Sequence, residues 1–148
     1  MRAVVQRVSR ACVRVSDREV ARIGTGLLVY LGVEQGDGEA EATWLAEKIA
    51  HLRIFPDGDH SMNRSLLETG GEILSISQFT LASRLKKGRR PSFSNAMEPR
   101  EAEALYQRFN GFLEDQGPRV KTGEFGALME VDYVNYGPVT FILEKKFG

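Results

Sequence analysis

A chain of 148 residues, 42% of them hydrophobic, has enough apolar side chains for one core, and a single domain over residues 1–148 is expected. Twenty basic residues balance 20 acidic ones, for zero formal net charge, which argues against a generic charge-driven coat on nucleic acid but leaves room for a local basic patch. One cysteine, Cys12, excludes an internal disulfide framework and fits a reducing cytosol.

Met1–Arg7 lacks the apolar core of a signal peptide. The longest apolar run, Leu27–Val33, is too short to span a bilayer, so a soluble, cytoplasmic protein with no membrane partner is expected. Arg2–Val8 and Ala11–Val15 read as strands, the second from the alternation of Ala11, Val13 and Val15 with Cys12 and Arg14. Cys12 in that setting is a strand thiol, with no activating neighbour in sequence. A polar turn at Ser16–Glu19 and a short strand at Val20–Ile23 complete a hairpin. Leu27–Val33 reads as a central strand buried on both faces.

Gln35–Gly38 opens a first helix, with Asp37 as its N-cap. Ala42, Leu45, Ile49 and Leu52 recur at helical spacing with Trp44 beside them, which marks a core-facing stripe. His51 lies near the helix end, where a cation suits the dipole. Phe55–His60 is turn chemistry; Asp57, Asp59 and His60 lack the further oxygen ligands of a calcium loop, and no metal site is expected. Glu72–Leu81 reads as a strand whose second half turns polar. Ser75, Ser77 and Gln78 need hydrogen-bond partners there if buried. Arg84–Arg90 carries five basic residues in seven. It is either a solvated loop or a phosphate clamp for a nucleic-acid backbone.

A second helix starts at Glu98-Pro99, buries Ala102, Leu105, Phe109, Phe112 and Leu113, and ends at Gln116-Gly117-Pro118. Lys121–Gly126 is a loop. Ala127–Val134 and Val139–Leu143 read as the last strands. Between them Asn135-Tyr136-Gly137-Pro138 is either a hairpin turn or a rigid backbone tip that presents carbonyl oxygens. The fold class expected is α+β: mainly antiparallel β-sheets forming a barrel-like core, with two amphipathic helices packed against it.

No serine–histidine–acid triad, zinc ligand set or glycine-rich phosphate loop is assembled by the sequence, and no cofactor is expected. Three polar features remain: Ser77-Gln78-Phe79-Thr80, the basic loop, and Gly137-Pro138 with Thr140.

Ser77–Leu81 taken with Asn135-x-Gly137-Pro138-Val139-Thr140 resembles the D-aminoacyl-tRNA deacylase family. Met1–Val8, the helix at Trp44–Phe55, Met62-Asn63, Lys87–Phe93 and Thr122–Ala127 extend the resemblance in order and spacing over nearly the full chain. The chain departs from the family's common pattern at Tyr136, at His60-Ser61 and over Ala82–Leu85. None of these touches Gly137, Pro138 or Ser77–Thr80.

The resemblance implies a homodimeric esterase that hydrolyses the ester between a D-amino acid and the terminal adenosine of tRNA. It implies action on glycyl-tRNA mischarged on tRNA(Ala) as well. Ser77, Gln78, Phe79 and Thr80 are the implied catalytic segment. Gly137 and Pro138, joined by a cis bond, are implied to reach the partner subunit's site and to reject L-amino acids with their carbonyl oxygens. Lys86, Lys87, Arg89 and Arg90 are the expected tRNA contacts. Two other readings stay open on the residues alone: a non-catalytic RNA-binding module, which the basic loop and Phe79 or Phe93 also fit, and an esterase with Thr80 as nucleophile.

Overall fold

The computed structural model describes Met1–Gly148. One long strand, β1 (Arg2–Val15), organises the sheet. Its N-terminal half pairs antiparallel with β3 (Gly26–Gly32), and its C-terminal half with β2 (Arg18–Ile23). The β1–β2 turn is Ser16-Asp17, both at positive φ, which is the backbone twist that two-residue hairpins favour. The other edge of β1 pairs along most of its length with β8 (Glu130–Glu144). On the far side β3 pairs in parallel with β6 (Glu72–Ser77), and β6 with β7 (Arg119–Thr122). The sheet curls until β2 approaches β6 and β7, which makes the core barrel-like.

Parallel neighbours need long crossovers. From β3 to β6 the chain passes through α1 (Glu39–His51), the hairpin β4 (Arg53–Asp57) and β5 (His60–Ser65), and the short α2 (Leu66–Thr69). From β6 to β7 it passes through α3 (Pro99–Asp115). The expected α+β class with mainly antiparallel sheets holds, and the two parallel ladders follow from these helical crossovers.

Leu27, Val29 and Leu31 of β3 face a core shared with Leu45 and Ile49 of α1 and Phe109 and Leu113 of α3. Leu28 faces a second core with Val8, Val13, Ile23, Leu74 and Ile76. The central strand is therefore apolar on both sides because both faces of the sheet are covered. Cys12 is buried. No helix is long and apolar enough to cross a membrane.

Four local expectations are corrected. Arg2–Val15 is one strand, not two. The N-cap of α1 is Gly38, whose N–H donates to Glu41 Oε1 at 2.8 Å. Asp37 is instead drawn into the interior: its carboxylate accepts the Met1 ammonium at 2.8 Å and the Glu34 N–H at 2.7 Å. The strand from Glu72 stops at Ser77, and Phe79–Ala82 forms a 3-10 turn. Finally, Asn135–Pro138 is not a hairpin turn: β8 runs straight through it as one 15-residue strand with an irregular register opposite Arg7.

Both charged groups of the Met1–Asp37 pair are fully buried. Removing one partner of such a pair leaves the other uncompensated, at a cost of about 3–5 kcal/mol. Asp37→Ala is therefore expected to lower the melting temperature by about 10 °C, read by thermal unfolding. An unchanged midpoint would show that the ammonium finds water or another acceptor.

Candidate active site

The Gln78 N–H donates to the Leu31 carbonyl at 2.8 Å, extending the β3–β6 pairing by one bond. The chain then tightens, with Leu81 N–H on the Gln78 carbonyl and Ser83 N–H on the Thr80 carbonyl. This turn lies directly over Gly32. A Cβ at Gly32 would stand 2.6 Å from Leu81 Cβ and 3.1 Å from the Gln78 carbonyl oxygen, so glycine there lets the motif seat against β3.

Ser77, Gln78 and Phe79 line one wall of a largely apolar cavity of about 650 Å³. Tyr30 and Val131 stand on its sheet side, and the start of α3 with Ala102 forms a second wall. The loop Phe125–Met129 and the ring of Phe93 complete it. Burial, then the neighbouring Tyr133, pushes the Tyr30 phenol up to about 12, so at neutral pH it is a neutral hydroxyl and not a base. Thr80 is exposed and does not line the cavity. Its Oγ1 accepts from Gln78 Nε2 at 2.5 Å, an amide that cannot take a proton.

Behind the motif, Ser75 joins three walls. Its hydroxyl donates to Asn110 Oδ1 at 2.7 Å, and its carbonyl accepts the Tyr106 hydroxyl at 2.8 Å and the Gly123 N–H at 3.2 Å. Strand β6, helix α3 and the loop leading to Phe125 are thereby tied together at one buried residue. The expectation that buried hydroxyls of this strand need partners is met at Ser75. Asn110 is legible as the polar residue inside the α3 stripe.

The Gly137–Pro138 peptide is cis. Two residues hold this tip from below. Asn135 Nδ2 donates to the carbonyls of Arg7 and Val139, both at 3.0 Å, and so bridges the irregular stretch of β8. Arg7 is 6% exposed. Its Nε donates to the Tyr136 carbonyl at 3.0 Å and its Nη1 to the Ile54 carbonyl at 2.6 Å, with Ser61 at 3.5 Å. The guanidinium also lies over the Tyr136 ring, 4.5 Å from its centre. Arg7 was not singled out in the sequence, although a signal exists: it shares the buried face of β1 with Ala3 and Val5.

None of Asn135–Thr140 lines the cavity that Ser77–Phe79 lines. Within one chain the two motifs are separate. Lys86 and Lys87 line a different cleft of about 730 Å³ with Arg2 and Arg84, where Glu34 and Glu144 also stand. Arg89 and Arg90 are exposed on the loop and line neither space.

The family model described as D-Tyr-tRNA(Tyr) deacylase matches residues 4–144. A D-aminoacyl-tRNA deacylase of Shouchella clausii is 52% identical over 146 residues, covering 99% of this chain and 100% of that relative. One from Geotalea daltonii is 56% identical over 144 residues, covering 97% and 96%. A solved structure described as c-Myc DNA Unwinding Element Binding Protein superposes with a TM-score of 0.94 at 40% identity, over 99% of this chain and 100% of that one. A second, described as a probable eukaryotic D-amino acid tRNA deacylase, shares the fold with a TM-score of 0.81 at 23% identity, over 96% and 97%. With a family match along nearly its whole length and relatives above half identity, the chain belongs to the D-aminoacyl-tRNA deacylases, a family of hydrolases.

Proposed function

We propose that two copies of this chain form the working deacylase, each cavity taking the 3′-terminal adenosine of a D-aminoacyl-tRNA and each Gly137-Pro138 tip completing the neighbour's site. The observation that carries this reading is the separation of tip and cavity within one chain. A second supports it: Val134 and Tyr136 before the tip, and Phe141 and Ile142 after it, are all exposed on β8. β8 pairs only with β1, so a strand of 15 residues has an open edge. Long open edges with apolar side chains are normally covered, and a second copy supplies a self-complementary cover.

In this arrangement the tip's carbonyl oxygens face the Cα of the bound amino acid. They clash with an L side chain and leave a D side chain free, whatever its chemistry, which is why backbone and not a side-chain pocket does the sorting. Glycine has no side chain to reject, so glycyl-tRNA, including that mischarged on tRNA(Ala), is hydrolysed too. Of the N–H groups in the motif, that of Gln78 is already bonded to Leu31. Those of Phe79 and Thr80, at the start of the turn, have no partner within it and serve the oxyanion. Water attacks the ester carbonyl. The tetrahedral oxyanion is held by these N–H groups and collapses to free D-amino acid and tRNA. The ribose 2′-hydroxyl beside the ester lies within reach of both the water and the departing 3′-oxygen.

The basic loop supplies the electrostatic contact. Arg84, Lys86, Lys87, Arg89 and Arg90 take part in none of the chain's ion pairs. On a chain of zero net charge, that is a local uncompensated positive field suited to the phosphates of tRNA in the cytoplasm.

The test is to incubate the protein with D-Tyr-tRNA and with L-Tyr-tRNA and follow ester loss. D-selective loss is expected; equal loss of both, or of neither, contradicts the reading. Thr80→Ala is expected to keep turnover within about threefold of wild type, because deleting a true nucleophile can cost about 10⁶-fold. Activity at background, or a trapped acyl-enzyme in the native protein, would make Thr80 the nucleophile.

A further inference from the structure

The cavity mouth carries two large aromatic side chains in water. Phe79 is 59% exposed and Phe93 40%. Their ring centres are 5.0 Å apart and the planes are inclined at 56°, so one flat base cannot lie on both. Phe79 belongs to the motif turn and hence to the wall that meets the terminal nucleoside. Phe93 comes from the far side of the basic loop.

The segment bearing Phe93 is held firmly. Arg84 and Ser92 exchange both backbone hydrogen bonds, at 2.8 and 3.0 Å. The Gln35 N–H donates to the Asn95 carbonyl at 2.9 Å, and its side-chain amide to the Ser94 carbonyl at 2.9 Å. Asn95 Nδ2 donates to Glu34 Oε2 at 2.7 Å, and Met97 N–H to the Val33 carbonyl at 3.2 Å. An exposed ring fixed in this way is a preformed surface, not a side chain waiting to fold inward.

The two spaces meet at this point. Ser92 lines the basic cleft and Phe93, the next residue, lines the apolar cavity. A strand leaving the cavity for the cleft therefore crosses the Phe93 ring and reaches Arg84, Lys86 and Lys87. The two carboxylates of the cleft are already engaged: Glu34 by Lys146 at 3.0 Å and by Asn95, and Glu144 by Arg2 at 2.5 Å. The cations of the loop have no carboxylate partner, and Arg84 Nη2 donates only to the neutral Asn95 Oδ1, at 3.3 Å.

We infer that Phe93 is a stacking platform for the penultimate base of a single-stranded RNA 3′ end, and that Arg84, Lys86 and Lys87 hold the phosphate linking it to the terminal nucleoside. The site thus reads two nucleotides, not one. Stacking on an aromatic face tolerates any base, so this subsite adds affinity without demanding sequence. The inference rests on the reading that the cavity takes the terminal adenosine.

Binding of unacylated probes to the full-length protein tests it separately from catalysis. Three probes are titrated: adenosine, the dinucleotide cytidylyl-adenosine, and the same dinucleotide with its 5′ base removed. The intact dinucleotide is expected to bind about tenfold more tightly than the abasic one. The abasic one should exceed adenosine only at low salt, where a phosphate contact counts. Phe93→Ala should bring the intact and abasic dinucleotides to the same affinity, and Phe93→Tyr should restore the difference. Equal affinity for the two dinucleotides in the wild type, or a difference that survives Phe93→Ala, overturns the platform. D-Tyr-tRNA hydrolysis is measured on the same preparation. Its absence beside a clear base contribution sinks the deacylase reading and leaves the platform standing; hydrolysis without that contribution does the reverse.

Discussion

Arg7→Met is expected to cost about 3 kcal/mol of stability or more, and to lower D-Tyr-tRNA turnover by about 10²-fold. One buried guanidinium satisfies the carbonyls of Tyr136 on β8 and Ile54 on β4, and lies 3.5 Å from that of Ser61 on β5. No ion pair includes Arg7, so its charge is balanced by these carbonyl dipoles and by the Tyr136 ring. Methionine fills much of the same space and supplies no donor. The bond to Ile54 is buried and those to Tyr136 and Ser61 are partly so; a buried carbonyl left unpaired costs about 1–3 kcal/mol, and the stability loss follows from the Ile54 carbonyl first, with smaller shares from the other two. The activity loss follows from the tip, because Tyr136 precedes Gly137 and moves when its carbonyl is released. Arg7→Lys separates the effects: it keeps the charge but loses the planar fork that reaches two elements at once. Partial recovery of the melting temperature without recovery of turnover is expected. Wild-type values for both in Arg7→Met would mean that the guanidinium does not hold the tip.

Gly137→Ala is expected to reduce turnover by about 10²-fold, the cost of displacing a positioning element by about an ångström. Gly137 has φ of +137°, a region that L side chains rarely adopt. An added Cβ would stand 2.7 Å from Val139 Cγ2, 3.0 Å from the Val139 backbone nitrogen and 3.2 Å from Arg7 Nη2. The valine side chain can rotate, but its backbone nitrogen cannot, so the tip shifts. The strand on either side remains paired to β1, and the melting temperature should fall by only a few degrees, roughly the cost of one strained residue. Steady-state turnover beside a thermal scan reads this difference. A stability loss with normal turnover would contradict the role of the tip.

The parts of this fold that were legible in the sequence are those set by local spacing. The stripes of α1 and α3 recur every three or four residues, and Glu98-Pro99 starts α3 as read, with the Glu98 carboxylate accepting the Glu101 N–H. The change of polarity along Ile76–Thr80 coincides with the end of β6 at Ser77 and the turn that follows it. The misreadings share one cause, a partner distant in sequence. Asp37 looks like a helix cap until the Met1 ammonium, 36 residues away, takes its carboxylate. Asn135–Pro138 has every local mark of a turn, but Arg7 and Asn135 fill the gap that lets β8 continue. The cavity wall at Phe125–Met129 shows no chemistry in its local spacing, since what brings it to the cavity is its approach to β6 through Ser75 and Gly123. Arg7 itself was readable in principle, as a cation on the apolar face of a strand.

The central claim is that the tip of one chain serves the cavity of another, and subunit mixing tests it directly. A Gly137→Ala protein has an intact cavity and a displaced tip; a Phe79→Ala protein has an intact tip and an altered cavity. Each alone should be nearly inactive on D-Tyr-tRNA. After the two are unfolded and refolded together, half of the dimers pair one of each, and one of the two cavities in such a dimer receives a native tip. Activity should then rise to about a quarter of the wild-type value. If the tip instead acts within its own chain, no mixture contains a complete site, and activity that stays at the level of the separate variants would contradict the account.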